Sequence, residues 1–240
     1  MEGDAHRFTA RRRRRRASWL LGVGTFLALI LIVTGIVMSP LLTLTEVVVK
    51  GRETVSTNVI VGAVSDQIGK PLASLNFESI RARLGTVPRI QSFTTEIQPP
   101  HTLVIRIVER QAIGYMAGNP KWSIVDAAGV VIDTVISRPM RLPELSVPST
   151  TDRAFTSITE TLMALPDSVR RSVLSIAATS RDSVRFILRG SGHRITWGSP
   201  DNSPIKVLVM NRALEVANRD GGVYDIDVSA PDNIVLQRIG

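Results

Sequence analysis

From Trp19 to Met38 the chain reads WLLGVGTFLALILIVTGIVM, twenty positions without a charge. At about 1.5 Å of rise per residue, a helix of this length reaches about 30 Å, the thickness of a bilayer's hydrocarbon core. In lipid the backbone has to satisfy its own hydrogen bonds, so a lone apolar segment resolves as a helix. Arg11 to Arg16 form an unbroken basic run ahead of it, and Pro40 follows it. The predicted organisation is a basic arm at 1–17, a transmembrane helix at 18–40, and a polar, alternating remainder long enough for one or two cores.

The charge is unevenly placed. Residues 1–17 hold seven arginines against Glu2 and Asp4, whereas 22 basic and 19 acidic residues share the rest of the chain. A pI near 10.9 therefore reflects the arm, which argues against a nucleic-acid-binding face. Arg11, Arg12, Arg13, Arg14, Arg15 and Arg16 beside the span act as a topology signal that keeps the N-terminus cytoplasmic and puts residues 39–240 outside. A cleaved signal peptide opens with the same pattern. The length of the apolar stretch, and Ser39-Pro40-Leu41-Leu42 in place of a small-x-small site, favour an anchor. The arm itself reads as disordered. There is no cysteine, so neither disulfides nor thiolate sites enter, and His6, His101 and His193 have no ligand spacing.

Thr45 to Lys50 reads as a strand closed by Gly51. Ser56 or Thr57 caps a helix with Val59, Ile60, Ala63, Val64 and Ile68 on one face, and Asn76 caps a second with Phe77, Ile80 and Leu84. Phe93, Thr95 and Ile97 alternate on one strand and Leu103, Ile105 and Ile107 on the next, with a turn at Gln98 to His101. Beyond Gln111, Trp122–Val125 and Val130–Val135 form a hairpin around Asp126 to Gly129. Arg138 to Pro148 holds three prolines and reads as a connecting loop. A helix at Thr151–Leu165 buries Phe155, Ile158, Leu162 and Leu165. Strands follow at 174–179, 184–189 and 194–197, then a helix opened by Ser203-Pro204, then strands at Val223–Val228 and Ile234–Arg238. The predicted class is α+β: a span, a β-α-α-β-β module at 42–110, and a mixed, mostly β domain at 111–240.

Several stretches carry a family likeness. They are Val47-Val48-Val49-Lys50-Gly51, Pro100-His101-Thr102-Leu103-Val104-Ile105, Val108-Glu109-Arg110, Ile124 to Val131, Leu142-Pro143-Glu144-Leu145 and Ile226-Asp227-Val228. In this order behind one span, the chain resembles the FtsQ/DivIB bacterial cell-division proteins, with a polypeptide-transport-associated (POTRA) module at 42–110. Arg89 and Ala112 depart from the family's usual aromatic and proline.

The resemblance implies a non-enzymatic divisome protein of the cytoplasmic membrane and division septum. Its partners would be bitopic proteins of the FtsB/DivIC and FtsL types and, through them, the FtsW/FtsI synthases. No cofactor, nucleic acid or small-molecule substrate is expected. The residues themselves show no G-x-S-x-G, phosphate loop, H-E-x-x-H or zinc spacing. The resemblance puts partner binding on the last two strands, at Tyr224, Ile226, Val228, Ile234, Val235 and Leu236. Alternate side chains there must face a core, whereas the backbone edge is free to take a partner strand. Arg181 and Arg185 are candidate contacts for acidic partner residues, or solvated surface. A proline at Val235 is expected to remove a donor from that edge. The alternative is a membrane-tethered POTRA chaperone or transport component that binds exported polypeptides.

Overall fold

The computed structural model describes residues 5–118 and 120–240, without the side chains of 5–18 and Pro40. Residues 1–4 of the expected disordered arm lie outside it. From Ala5 the arm's backbone is helical, and α1 runs without interruption through Ala5–Val37. Arginine is a good helix former, and extending an existing helix costs far less than nucleating one. Within α1, Trp19–Val37 has mean hydropathy 2.6 and none of its most apolar window is buried against protein, so by length and composition it is able to cross a membrane. The chain divides into two compact units, Met1–Glu109 and Arg110–Gly240.

In the first unit, β1 (Glu46–Lys50), β2 (Ile90–Gln98) and β3 (Thr102–Glu109) form a sheet in the order β1-β3-β2. β1 runs parallel to β3, and β2 antiparallel. Two short helices connect β1 to β2, α2 (Thr57–Ala63) and α3 (Phe77–Gly85). Their caps fall on the expected residues: Ser56 Oγ accepts from the Asn58 N–H, and Asn76 Oδ1 from the Ser79 N–H. α2 stops earlier than its apolar spacing suggests. A 3-10 turn at Ser65–Gln67 rotates the chain and leaves Ile68 exposed, while within α2 Val59 faces solvent and Ile60 and Val64 stay buried. Ile60, Ile80 and Leu84 pack on Leu103, Ile105 and Ile107 as one core. Gly51, at φ +78°, closes β1 where a Cβ would strike the Ile107 carbonyl oxygen.

Glu109 ends β3 and is buried. Its Oε1 accepts from the Glu53, Thr54 and Val55 N–H groups at 2.7, 2.9 and 2.9 Å, and Oε2 from Thr54 at 3.0 Å. Burial would raise this carboxyl's pKa, but the amides of Val55, Glu53 and Thr54 outweigh it and the pKa lies below the ordinary value.

The second unit is built on nine strands: β4 (Ala112–Ala117), β5 (Trp122–Asp126), β6 (Val131–Val135), β7 (Glu144–Ser146), β8 (Val173–Ala177), β9 (Val184–Leu188), β10 (Arg194–Gly198), β11 (Tyr224–Asp227) and β12 (Val235–Arg238). Their order is β12-β11-β10-β9-β8-β7-β4-β5-β6. Helices α4 (Arg153–Ala164) and α6 (Ser203–Asp220) contribute Phe155, Ile158, Leu162, Met210 and Ala213 to a core shared with Ile176, Phe186, Trp197 and Ile226. A short α5 (Asp167–Ser172) follows α4. Asn202, in the left-handed region, occupies the α6 cap position; Ser203 instead donates to the Pro200 carbonyl. β4, α5 and β7 are additions to the elements expected from sequence, β7 lying inside the proline-rich stretch expected to be a loop. Gly114 permits that pairing, because a Cβ there would lie 2.6 Å from the Leu145 side chain.

Lys206 on α6 is buried. Its Nζ donates to the Trp197 and Ser199 carbonyls at 3.0 and 2.8 Å and lies 5.9 Å from the Trp197 ring centroid.

Candidate functional site

β11 and β12 are joined by a turn in which Asp227 Oδ1 accepts from the Ser229 N–H and the Asn233 N–H donates to the Ala230 carbonyl. β11 lies parallel to β10 and antiparallel to β12, with Ile226 opposite Leu236 and Asp227 opposite Val235. Two bonds fix which way the backbone points. The Val228 N–H donates to Thr196 O, so even-numbered β11 residues face β10; the Ile239 N–H donates to Val223 O, so odd-numbered β12 residues face β11. The amides and carbonyls of Leu236 and Arg238 consequently point to the side of β12 that, among the described residues, has no neighbouring strand. A proline at Val235 would therefore break the β11–β12 ladder, while the outward donor expected there belongs to Leu236.

The side chains divide by face. Ile226 and Val228 are fully buried in the core, so neither side chain is available at the surface. Ile234, Val235 and Leu236 are exposed, and all four residues of β12 are open to solvent. Tyr224 is half-buried. Its hydroxyl donates to Asp220 Oδ2 at 2.6 Å, which raises its pKa, and Arg238 reaches the same carboxylate at 3.3 Å. The Tyr224 N–H donates to Nδ1 of the buried His193, which leaves His193 Nε2 to donate to Asn218 Oδ1. This network braces the start of β11 against α6.

Arg181 lies in the β8–β9 turn rather than on a strand, and makes two bonds to Asp201 at 2.7 and 3.2 Å. That pairing raises the Arg181 pKa and lowers that of Asp201. Its charge is thus already engaged, whereas Arg185 sits exposed on β9. The side chains of Arg11 to Arg16 lie outside the described residues. Among the described residues, no group of three His, Cys, Asp or Glu is placed to hold a metal ion.

A helix able to cross a membrane, a small sheet with two helices and a nine-stranded unit with an open end strand define a class: a membrane-anchored protein built around POTRA-type and strand-rich modules. Residues 42–110 match the family described as POTRA domain, FtsQ-type. The chain is 30% identical over 236 residues to the cell division protein FtsQ of Streptomyces bingchenggensis, covering 92% of this chain and 88% of that one. It is 31% identical over 197 residues to FtsQ of Mycobacterium leprae, where it spans a little over half (56%) of the relative's length and 81% of its own. The solved major extracytoplasmic domain of DivIB from Geobacillus stearothermophilus is similar over 47% of this chain and 96% of its own, at 19% identity and a TM-score of 0.35. The chain belongs to the FtsQ/DivIB family of bacterial cell-division proteins.

Proposed function

We propose that this chain is a non-enzymatic bitopic assembly factor of the divisome. Its arm lies in the cytoplasm and residues 39–240 lie outside the membrane, as the arginine run beside the span favours. There it takes a segment of an FtsB/DivIC-type partner, itself paired with an FtsL-type protein, as an added strand on β12. By holding that pair it links early division components to the FtsW/FtsI synthases. The observation that carries this reading is the open side of β12, where the backbone of Leu236 and Arg238 is unpaired by any strand and the apolar Val235 and Leu236 are exposed.

The test is Leu236→Pro in the full chain. Proline is tolerated on an edge strand when its missing N–H faces solvent, so β12 stays paired to β11, read as preserved amide protection at Gln237. Capture of the purified FtsB/DivIC-type partner should then fall at least about tenfold, the loss expected from one or two interchain hydrogen bonds and a steric block. Full-strength capture with that protection intact would overturn the edge assignment.

A further inference from the structure

The second unit carries another concavity, separated from β12 by β11, β10, β9 and β8. It is a cleft of about 380 Å³. It exists because β7 meets β4 at a single position, Tyr115 opposite Glu144, with the Tyr115 N–H donating to Pro143 O. Upstream of that bond, residues 111–113 and 141–143 line two sides of the cleft without pairing with each other, and the end of α4 and the last turn of α5 line the remainder. Its apolar lining comes from Ile113, Leu142, Leu162 and Met163, of which Met163 is 60% exposed.

The charged lining is of one sign. Arg141, Arg170 and Arg171 contribute, and among the described residues no acidic side chain lines it. Arg170 is bonded to Asp167, but Arg141 and Arg171 make no ion pair among the described residues. Arg189 ties down the segment beside Arg141 by donating to the Met140 carbonyl. A fixed apolar slot flanked by unneutralised guanidinium groups is complementary to an extended chain that carries carboxylates on either side of an apolar side chain. We propose that this cleft binds an acidic peptide segment, the apolar side chain entering between Leu142 and Met163 and the carboxylates pairing with Arg141 and Arg171. The cleft is too small for the paired acyl chains of a phospholipid, which favours peptide over lipid. The proposal is independent of strand addition at β12.

The test uses the full chain in phosphatidylcholine nanodiscs, with Arg11 through Arg16 changed to glutamine so that the arm does not compete. The probe is a short fluorescein-labelled peptide of alternating glutamate and leucine, and the control peptide alternates lysine and leucine. Arg141→Glu with Arg171→Glu should weaken the acidic peptide about tenfold or more, and the paired glutamine variants by less. Arg212→Glu on α6 and Leu236→Pro should leave its affinity unchanged. Equal binding of the lysine peptide, or unchanged affinity in both double variants, would overturn the proposal. So would competition by phosphatidylglycerol vesicles that the same arginine changes abolish, an outcome that reassigns the cleft to a lipid headgroup.

Discussion

Replacing Glu109 tests how the first unit is held shut. Among the described residues, its carboxylate alone accepts from three consecutive amides, at Glu53, Thr54 and Val55, in the segment that leads into α2. Glu109→Ala orphans the buried Val55 N–H outright, at about 1–3 kcal/mol, while the other two amides regain water and lose about 0.5–1.5 kcal/mol each. The total is about 2–6 kcal/mol, centred near 4. At the centre of that range, Tm of a unit of this size falls by roughly 15–30 °C. Glu109→Gln keeps one acceptor oxygen but loses the charge, and should cost about half as much. The sign of the pH dependence is fixed by the lowered carboxyl pKa. Glu109 contributes stability that is fully present above the unfolded value of about 4.3 and is lost as pH falls through the lower folded value. Amide exchange at residues 53–55, with thermal unfolding from pH 7 down to pH 3, provides the assay. A loss below about 1 kcal/mol for Glu109→Ala, or an equal difference between wild type and Glu109→Gln at both ends of that range, would refute the reasoning.

Two further positions probe the second unit. Asp126 is buried; Oδ1 accepts from the Ala128 and Val130 N–H groups at 3.0 and 2.8 Å, and Oδ2 from Arg110 at 2.6 Å. Asp126→Ala should cost about 2–4 kcal/mol in urea unfolding followed by tryptophan fluorescence, and Asp126→Asn clearly less, because the amide keeps an oxygen for the turn. Lys206 has its pKa lowered by burial, against the pull of Asp201, Asp182 and Asp227. The folded lysine therefore releases its proton at lower pH than the unfolded one, so stability should rise relative to Lys206→Met as pH climbs from neutrality toward the ordinary lysine value. Parallel pH slopes of Tm for the two proteins would contradict this. Lys206→Ala, which also leaves a cavity, should cost about 2–4 kcal/mol at neutral pH.

Much of the fold is legible wherever local chemistry and tertiary packing agree. The Ser56 and Asn76 caps, the Ile80–Leu84 stripe and the alternation of Leu103, Ile105 and Ile107 each follow from spacing and recur in the structure. The open end of the sheet is a different matter. Alternation in Tyr224, Ile226 and Val228 fixes which side chains face the core, but which β12 amides point outward depends on pairing with β11, a long-range property that period-2 patterning does not contain. β4 and β7 are hidden for related reasons. The first, AIGYMA, has a glycine and few β-branched residues; the second has three residues beside prolines. Gly114 is the one available hint, since a lone glycine inside an apolar run often marks close backbone approach. Arg141, Arg170 and Arg171 stand on two separate stretches of sequence and come together only where the fold brings α5 beside residues 141–143 at the cleft.

The unpaired flank of β12 also bears on how the protein is kept in the cell. Val235 and Leu236 on an unblocked edge form an adhesive surface for any extended chain, including another copy or a half-folded neighbour. Newly made protein thus begins life vulnerable to indiscriminate sticking, and every molecule whose edge stays uncovered remains in that condition. Surplus is therefore hazardous, and synthesis matched closely to demand, or prompt degradation of the excess, is the safer regime for a protein with this edge.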